Sequence, residues 1–264
     1  MAAAGYAPAI VMGMLKTAQY RKKHRSCGGV DPWYRDFQNA HMATSGFWNY
    51  FNKEASPRLG FRADPFRKIF TYLDTLGRTV GIVETGCVRT KDSWEGDGQS
   101  TILFDRYISN SPGSVVYTVD VNPDATALCK GLVSDRVKVH TGDSVAFLKT
   151  LARNKPSDLP TIDLLYLDSF DFDADNPLPS AAHHLKELLA ILPAITPRTL
   201  VVVDDAYALC IGVKIGGEYH LLVIHPIWGK AKLIADYASA VGVTPYFTGY
   251  QCGWIGLGAQ RHGE

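Results

Sequence analysis

Cysteine is scarce in this chain: the five cysteines are scattered and none forms a C-x-x-C pair. Such a set argues against a disulfide framework or a zinc site and is typical of reduced thiols in a cytoplasmic protein. Long apolar runs are also missing, since no stretch reaches the ~20 residues that a membrane-spanning helix needs. The apolar segment 2–15 is followed, not preceded, by basic residues, which is the wrong order for a secretory signal. We therefore expect a cytoplasmic location and no membrane partner.

A large excess of either charge is absent as well, because 27 lysines and arginines face 26 acidic residues. No overall field is left to attract nucleic acid or an anionic surface. The basic run 21–25 allows contact with nucleic acid, but a solvated helix face is the favoured interpretation. Nucleic acid is accordingly not an expected partner.

What the chain does contain is a regular alternation of apolar runs and helical patterns from about residue 64 onward. A typical helix start, Asp64-Pro65, opens the series. The apolar runs that alternate with helices are 79–83, 115–121, 137–140, 162–167 and 200–203. This alternation predicts an α/β fold with a doubly wound parallel sheet and helices on both faces. Residues 245–258 are predicted to form a terminal hairpin and residues 208–224 an inserted one.

Acidic residues follow nearly every predicted strand. Right-handed crossovers place the C-terminal ends of the strands on one edge, where ligands of such sheets bind. The residues expected there are Glu84, Gly86, Asp120, Asp143, Asp168, Asp204 and Asp205. Clustered carboxylates repel one another unless a ligand or a cation uses them, so this pattern favours a ligand site. For Asp143 and Ser144, capping of the following helix is an equally good interpretation.

Two common phosphate-binding loops are missing, since the chain has neither a G-x-G-x-x-G after the first strand nor a P-loop. The first loop instead begins with Glu84-Thr85-Gly86, and its acid would repel phosphates. The ligand favoured by this edge is cationic or rich in hydroxyl groups. Asp120, which closes the second strand, is placed to accept hydrogen bonds from a ribose diol.

Five motifs in order resemble those of the class I S-adenosylmethionine-dependent methyltransferases. They occupy residues 84–86, 118–123, 142–144, 165–168 and 201–205. The resemblance covers residues 64–258 and implies a Rossmann-like, mostly parallel seven-stranded sheet with an antiparallel last strand. It also implies a methyltransferase domain at 64–264, preceded by an N-terminal helical arm or lid at 1–63. Aromatic residues in 31–62 either cover a methyl acceptor as a lid or pack the arm onto the body.

The resemblance also implies which residues bind S-adenosylmethionine. Gly86 would let the backbone approach the methionine part, which Glu84 would help to hold, and Asp120 would bind the ribose. The helix beginning near Gln99 would offer its amides to the cofactor's carboxylate, although a plain N-cap by Gln99 or Ser100 is an equal alternative. The full predicted set is Glu84, Thr85, Gly86, Arg89, Gln99, Ser100, Asp120, Val121, Asp143, Ser144 and Asp168.

Asp168, Asp204 and Asp205 resemble the metal site of the catechol-type and macrocin-type O-methyltransferases. Three hard oxygen ligands suit Mg²⁺, which would lower the pKa of an acceptor hydroxyl and position its oxygen. The alternative is that Asp204 and Asp205 only cap the next segment and order the cofactor. The chain departs from the catechol type at Asp171, where that type has a lysine base.

The acceptor must lose a proton, and the candidates are Asp168, Asp171, His183 and His184. Both histidines are expected in the first turn of the helix after the fourth strand, where the helix dipole favours neutral imidazole. The favoured alternatives are packing of His184 against the sheet and a surface pair between His183 and Glu187.

The sequence as a whole predicts divalent-metal-assisted O-methylation of a small hydroxylated metabolite, such as a natural product or a sugar. A metal-independent N- or O-methyltransferase that uses His or Asp as the base is one alternative. An RNA-directed methyltransferase that uses the basic N-terminal arm is another. Assembly into a homo-oligomer is left open.

Overall fold

A seven-stranded sheet runs through the centre of the computed structural model, which describes residues 46–94, 96, 99–206, 208–215 and 218–259. Its strands are β1 Gly81–Thr85, β2 Val115–Asp120, β3 Val137–Thr141, β4 Ile162–Leu167, β5 Leu200–Val203, β8 Pro245–Phe247 and β9 Cys252–Ile255. Their order in the sheet is β3-β2-β1-β4-β5-β9-β8. The first five strands are parallel, and β9 is antiparallel to both β5 and β8. The expected mostly parallel sheet with an antiparallel last strand is confirmed.

The inserted hairpin predicted after the fifth strand is also present. It consists of β6 Leu209–Ile215 and β7 Glu218–His225, which pair with each other in a separate two-stranded sheet. The basic run 21–25 and the first part of the predicted arm, residues 1–45, lie outside the described residues.

Helices connect the strands of the large sheet. They are α1 Gly46–Tyr50, α2 Ala63–Thr75, α3 Ser100–Ile108, α4 Pro123–Leu132, α5 Ser144–Arg153, α6 Leu178–Ile191 and α7 Lys232–Ala240. A π-helical turn, Phe51–Ala55, follows α1, and short 3₁₀ turns at Gly60–Arg62 and Gly229–Ala231 precede α2 and α7. Asn122 caps α4 by accepting hydrogen bonds from two backbone N–H groups of its first turn, as the sequence predicts.

Helices cover both faces of the sheet. Alternate strand residues point to opposite sides, so each strand packs against both layers of helices. On one face, Ile82 and Leu164 pack with aromatic residues of α2 and α3, such as Phe70. On the other face, strand residues including Val83 pack with α5, α6 and α7. β1, β2, β4 and β5 are buried along their whole length, as expected for central parallel strands.

The segment before α2 contributes to the same core. Phe47, Trp48 and Phe51 are buried against α2. The ring centres of Phe47 and Phe51 lie 4.6 and 5.7 Å from the ring centre of Phe70. These three rings therefore pack onto the body of the protein. Within the described part of the chain, no helix is long and apolar enough to cross a membrane.

Candidate active site

The loops that follow the parallel strands lie side by side, because backbone hydrogen bonds continue past the strand ends. Gly86 N–H donates to Val119 O at 2.8 Å, Asp168 N–H to Thr85 O at 2.9 Å, and Asp204 N–H to Leu167 O at 3.1 Å. The strand-end residues predicted from the sequence are thus brought to one edge of the sheet.

Asp120 is held in a fixed orientation at this edge. Cys87 N–H donates to its Oδ2 at 3.3 Å, and Asn122 N–H donates to its Oδ1 at 2.8 Å. The next residue, Val121, leaves 73% of its surface exposed. The carboxylate of Asp120, with one backbone donor on each oxygen, is therefore followed by the exposed apolar side chain of Val121.

Gly86 has a left-handed backbone, with φ of +80°. A Cβ at this position would lie 2.5 Å from the backbone oxygen of Asp168, closer than real contacts allow. The sequence assigns this glycine to close approach of the cofactor. In the structure, the neighbouring strand end is what requires it, because the loops after β1 and β4 nearly touch.

Glu84 is fully buried beneath the first loop. Ser100 Oγ donates to its Oε1 at 2.6 Å, and Thr101 Oγ1 donates to its Oε2 at 2.8 Å. Burial raises the pKa of Glu84 to about 7. The carboxyl group therefore ties β1 to the start of α3, and its predicted contact with the cofactor remains a prediction.

Neither suggested side-chain cap of α3 is formed. Gln99 has a left-handed backbone with φ of +53°, and its Nε2 donates to Thr90 O at 2.7 Å. The Ser100 hydroxyl is used by Glu84 instead. At the start of α5, in contrast, exposed Asp143 is the N-cap and accepts a hydrogen bond from Ala146 N–H at 2.8 Å.

A buried carboxylate on α6, Glu187, connects three of the strand-end loops. Thr85 Oγ1 donates to its Oε2 at 3.2 Å, and Ser169 Oγ donates to its Oε1 at 2.6 Å. His183 Nε2 lies 3.4 Å from Oε1 of Glu187 and 2.9 Å from Ser144 Oγ. The expected surface pair is therefore wrong in one respect, because Glu187 is completely buried.

Both histidines lie in the second turn of α6, which begins at Leu178, and not in the first turn as predicted. His184 is fully buried, and its Nδ1 lies 2.7 Å from Ser180 O. Burial lowers the pKa of His184 to about 4, so the ring is neutral near pH 7. Packing is the role that this geometry supports. Of the two aspartates among the predicted bases, Asp171 is exposed and pairs with Arg89 at 3.0 Å.

The three predicted metal ligands are paired with two buried cations that the sequence analysis missed. Lys230 Nζ lies 2.5 Å from Asp168 Oδ1 and 3.0 Å from Asp205 Oδ2. Arg62 Nε lies 3.2 Å from Asp204 Oδ2. We call these five side chains the aspartate cluster. Although burial alone would lower the pKa of Lys230, Asp168 and Asp205 raise it, so the ammonium stays charged.

A tyrosine of the terminal hairpin completes the surroundings of the aspartate cluster. Tyr250 OH donates to Asp205 Oδ1 at 2.6 Å and accepts from Arg62 Nη2 at 3.2 Å. The guanidinium carbon of Arg62 also lies 4.4 Å from the centre of the Tyr250 ring. Both oxygens of Asp205 are therefore already bonded.

This arrangement does not fit a divalent metal. An ion bridging Asp168 and Asp205 would have to take the place of the Lys230 ammonium. If the ammonium stayed beside the ion instead, at ~4 Å and an effective dielectric constant of ~20, the dication and the ammonium would repel each other by about 8 kcal/mol. Oδ1 of Asp204 is buried without a partner among the described residues, but a single oxygen suits a hydroxyl or a water equally well. In the described part of the chain, no group of three His, Cys, Asp or Glu residues is arranged to hold a metal.

Residues 96–206 match the family described as a methyltransferase domain. This chain contains a methyltransferase domain. The match agrees with the mostly parallel seven-stranded sheet with an antiparallel last strand that the motif resemblance implies, so the predicted class I methyltransferase is confirmed. No curated protein matches the methyltransferase in sequence.

Several solved structures are similar to the methyltransferase. MycE from the mycinamycin biosynthetic pathway is 19% identical, with a TM-score of 0.40 over 68% of this chain and 38% of MycE. Human methyltransferase-like protein 13 is 16% identical, with a TM-score of 0.42 over 72% and 77% of the two chains. The sugar N-methyltransferase KedS8 from Streptoalloteichus sp ATCC 53650 is 10% identical, with a TM-score of 0.40 over 88% and 98%. The chain thus spans well under half the length of MycE.

Proposed function

We propose that this methyltransferase transfers the methyl group of S-adenosylmethionine to a hydroxyl group of a small hydroxylated metabolite, such as a natural product or a sugar. The observation that carries the cofactor assignment is the fixed carboxylate of Asp120. Each of its oxygens accepts one backbone N–H, which leaves a lone pair on each oxygen for a ribose hydroxyl. The exposed side chain of Val121 supplies apolar surface for the adenine beside it.

The charge of the aspartate cluster also suits this cofactor. Three carboxylates face two cations, so the cluster carries one negative charge when every group is ionised. A negative charge at the strand ends attracts the positive sulfonium of the methyl donor. The predicted cofactor and the electrostatics of the edge therefore agree.

The proposal takes the metal-independent alternative, because Lys230 and Arg62 already pair with the three aspartates. Asp168, Asp171 and His183 remain the predicted proton acceptors, while the fully buried ring of His184 is left out. The RNA-directed alternative depends on the basic run 21–25, which lies outside the described residues. The small-molecule acceptor and a homo-oligomer remain predictions.

Calorimetric titration with S-adenosylmethionine tests the cofactor assignment. We expect Asp120→Ala to weaken binding about 30-fold or more, because losing a charged hydrogen-bond acceptor costs about 2 kcal/mol. Asp124→Ala is the matched control, since Asp124 is an exposed acid in the first turn of α4, and its affinity should be unchanged. Equal affinity of Asp120→Ala and wild type would remove the ribose assignment, and a wild-type protein that does not bind the cofactor would overturn the proposed function.

A further inference from the structure

Lys230 is held at the strand ends by both its backbone and its side chain. Its backbone N–H donates to Asp205 O at 3.2 Å. Its ammonium lies between the ends of β4 and β5, bonded to Asp168 and Asp205. Only 2% of the residue is exposed. A flexible surface lysine would not show this combination of burial and two charged partners.

The position of the ammonium is the position that the sequence assigns to a divalent ion. Asp168 and Asp205 belong to neighbouring strands and would both be ligands of that ion. An ammonium supplies positive charge and up to three hydrogen bonds at one point, so it can keep two carboxylates together as an ion would. Arg62 pairs with one oxygen of the third carboxylate, Oδ2 of Asp204.

We propose that Lys230 is a built-in replacement for the metal of related methyltransferases, which fixes Asp168 and Asp205 in place and excludes a divalent ion from the aspartate cluster. This inference rests on the proposed function. Lys230 is a positioning residue in this scheme, because its ammonium is buried and acts through Asp168, whose side chain is partly exposed. The cluster therefore works without a metal.

Metal titration of the full chain tests the inference. Binding of Mn²⁺ is measured from the spectrum of the ion that remains free, and binding of Mg²⁺ is measured by calorimetry. Wild type should show no saturable site in the micromolar range. Lys230→Met, which keeps the length of the side chain but removes its charge, should bind one ion at least about tenfold more tightly than wild type. Lys232→Met is the control, because Lys232 lies two residues further on and pairs with Asp236 outside the cluster; it should behave as wild type.

Two results would overturn the inference. One is a saturable wild-type site that Asp168→Asn removes, which would show that the ion binds despite Lys230. The other is a folded Lys230→Met protein with no gain in metal affinity, which would show that Lys230 is not what excludes the ion. Removing one partner of a buried ion pair is destabilising, so folding is checked by circular dichroism, and the wild-type titration decides by itself if the variant does not fold. A wild-type protein that does not bind S-adenosylmethionine would count against the proposed function and would leave the metal result unaffected.

Discussion

Glu84 shows how a single buried residue can make stability depend on pH. Its carboxyl group is ordinarily half-ionised near pH 4.5, and burial raises its pKa to about 7 in the folded protein. Below pH 4.5 the group is protonated in both the folded and the unfolded state, so it has no effect on stability. As the pH rises from 4.5 to 7, the unfolded state ionises first, and the folded state is destabilised relative to it.

We therefore expect the free energy of unfolding of wild type to fall between about pH 4 and pH 8 by about 3 kcal/mol more than that of Glu84→Gln. Glutamine keeps the shape and one acceptor for the hydroxyl groups of α3 but cannot ionise. Urea denaturation at several pH values measures the difference. Glu54→Gln, at an exposed site, should retain the wild-type slope. Equal slopes for wild type and Glu84→Gln would show that another group titrates in this range.

Single residues also mark the limit of what the sequence could predict about the site. Asp120, Asp168 and Asp204 were placed correctly at one edge, because a strand end is visible as the end of an apolar run. Lys230 and Arg62 were missed, since they reach the aspartates from distant parts of the chain. Lys230 lies 62 residues from Asp168, and Arg62 lies 142 residues from Asp204. No local periodicity records such a pairing.

At the scale of secondary-structure elements, the close approach of two strand ends depends on a glycine. The loop after β1 passes so near the loop after β4 that Gly86 has no room for a side chain. The five parallel strands were predicted to within about two residues because each is a short apolar run. The 3₁₀ turn Gly229–Ala231 before α7 was not predicted, because the φ of +62° at Gly229 cannot be recognised in the sequence.

Gly86→Ala should separate the ends of β1 and β4 and weaken S-adenosylmethionine binding. We also expect a loss of about 1–3 kcal/mol in unfolding free energy, from the positive φ and the contact with Asp168 O. Gly131→Ala in α4 is the control, because its Cβ would meet no atom within 4 Å; it should be neutral or stabilising by up to about 1 kcal/mol. Calorimetry and urea denaturation measure the two effects. A Gly86→Ala protein as stable and as tightly binding as Gly131→Ala would contradict the expectation.

For the molecule as a whole, the segment 46–62 is part of the folded body. Its aromatic rings pack into the core on one face of the sheet, and Arg62 at its end neutralises Asp204. The sequence indicated two interpretations for this aromatic stretch, a lid or packing onto the body, and apolar composition alone does not distinguish them. The contacts of Phe47, Trp48 and Phe51 are those of packing.

Phe51→Ala should accordingly destabilise the entire protein by about 3–5 kcal/mol, as expected for truncating a buried aromatic ring. Phe61→Ala is the matched control, since Phe61 is 64% exposed in the same segment, and it should change stability by less than about 0.5 kcal/mol. Thermal and urea unfolding followed by circular dichroism provide the comparison. If both variants unfold like wild type, residues 46–62 do not belong to the cooperative core.

The pairing of Tyr250 with Arg62 and Asp205 has a consequence for the order in which the protein can be assembled. Arg62 and Tyr250 are 188 residues apart, yet they meet at the same carboxylate. Until the ribosome has added the hairpin of β8 and β9, Asp205 cannot bond to Tyr250, and β5 lacks its antiparallel neighbour β9. The aspartate cluster can therefore be completed only after Tyr250 and β9 have been synthesised, long after Arg62.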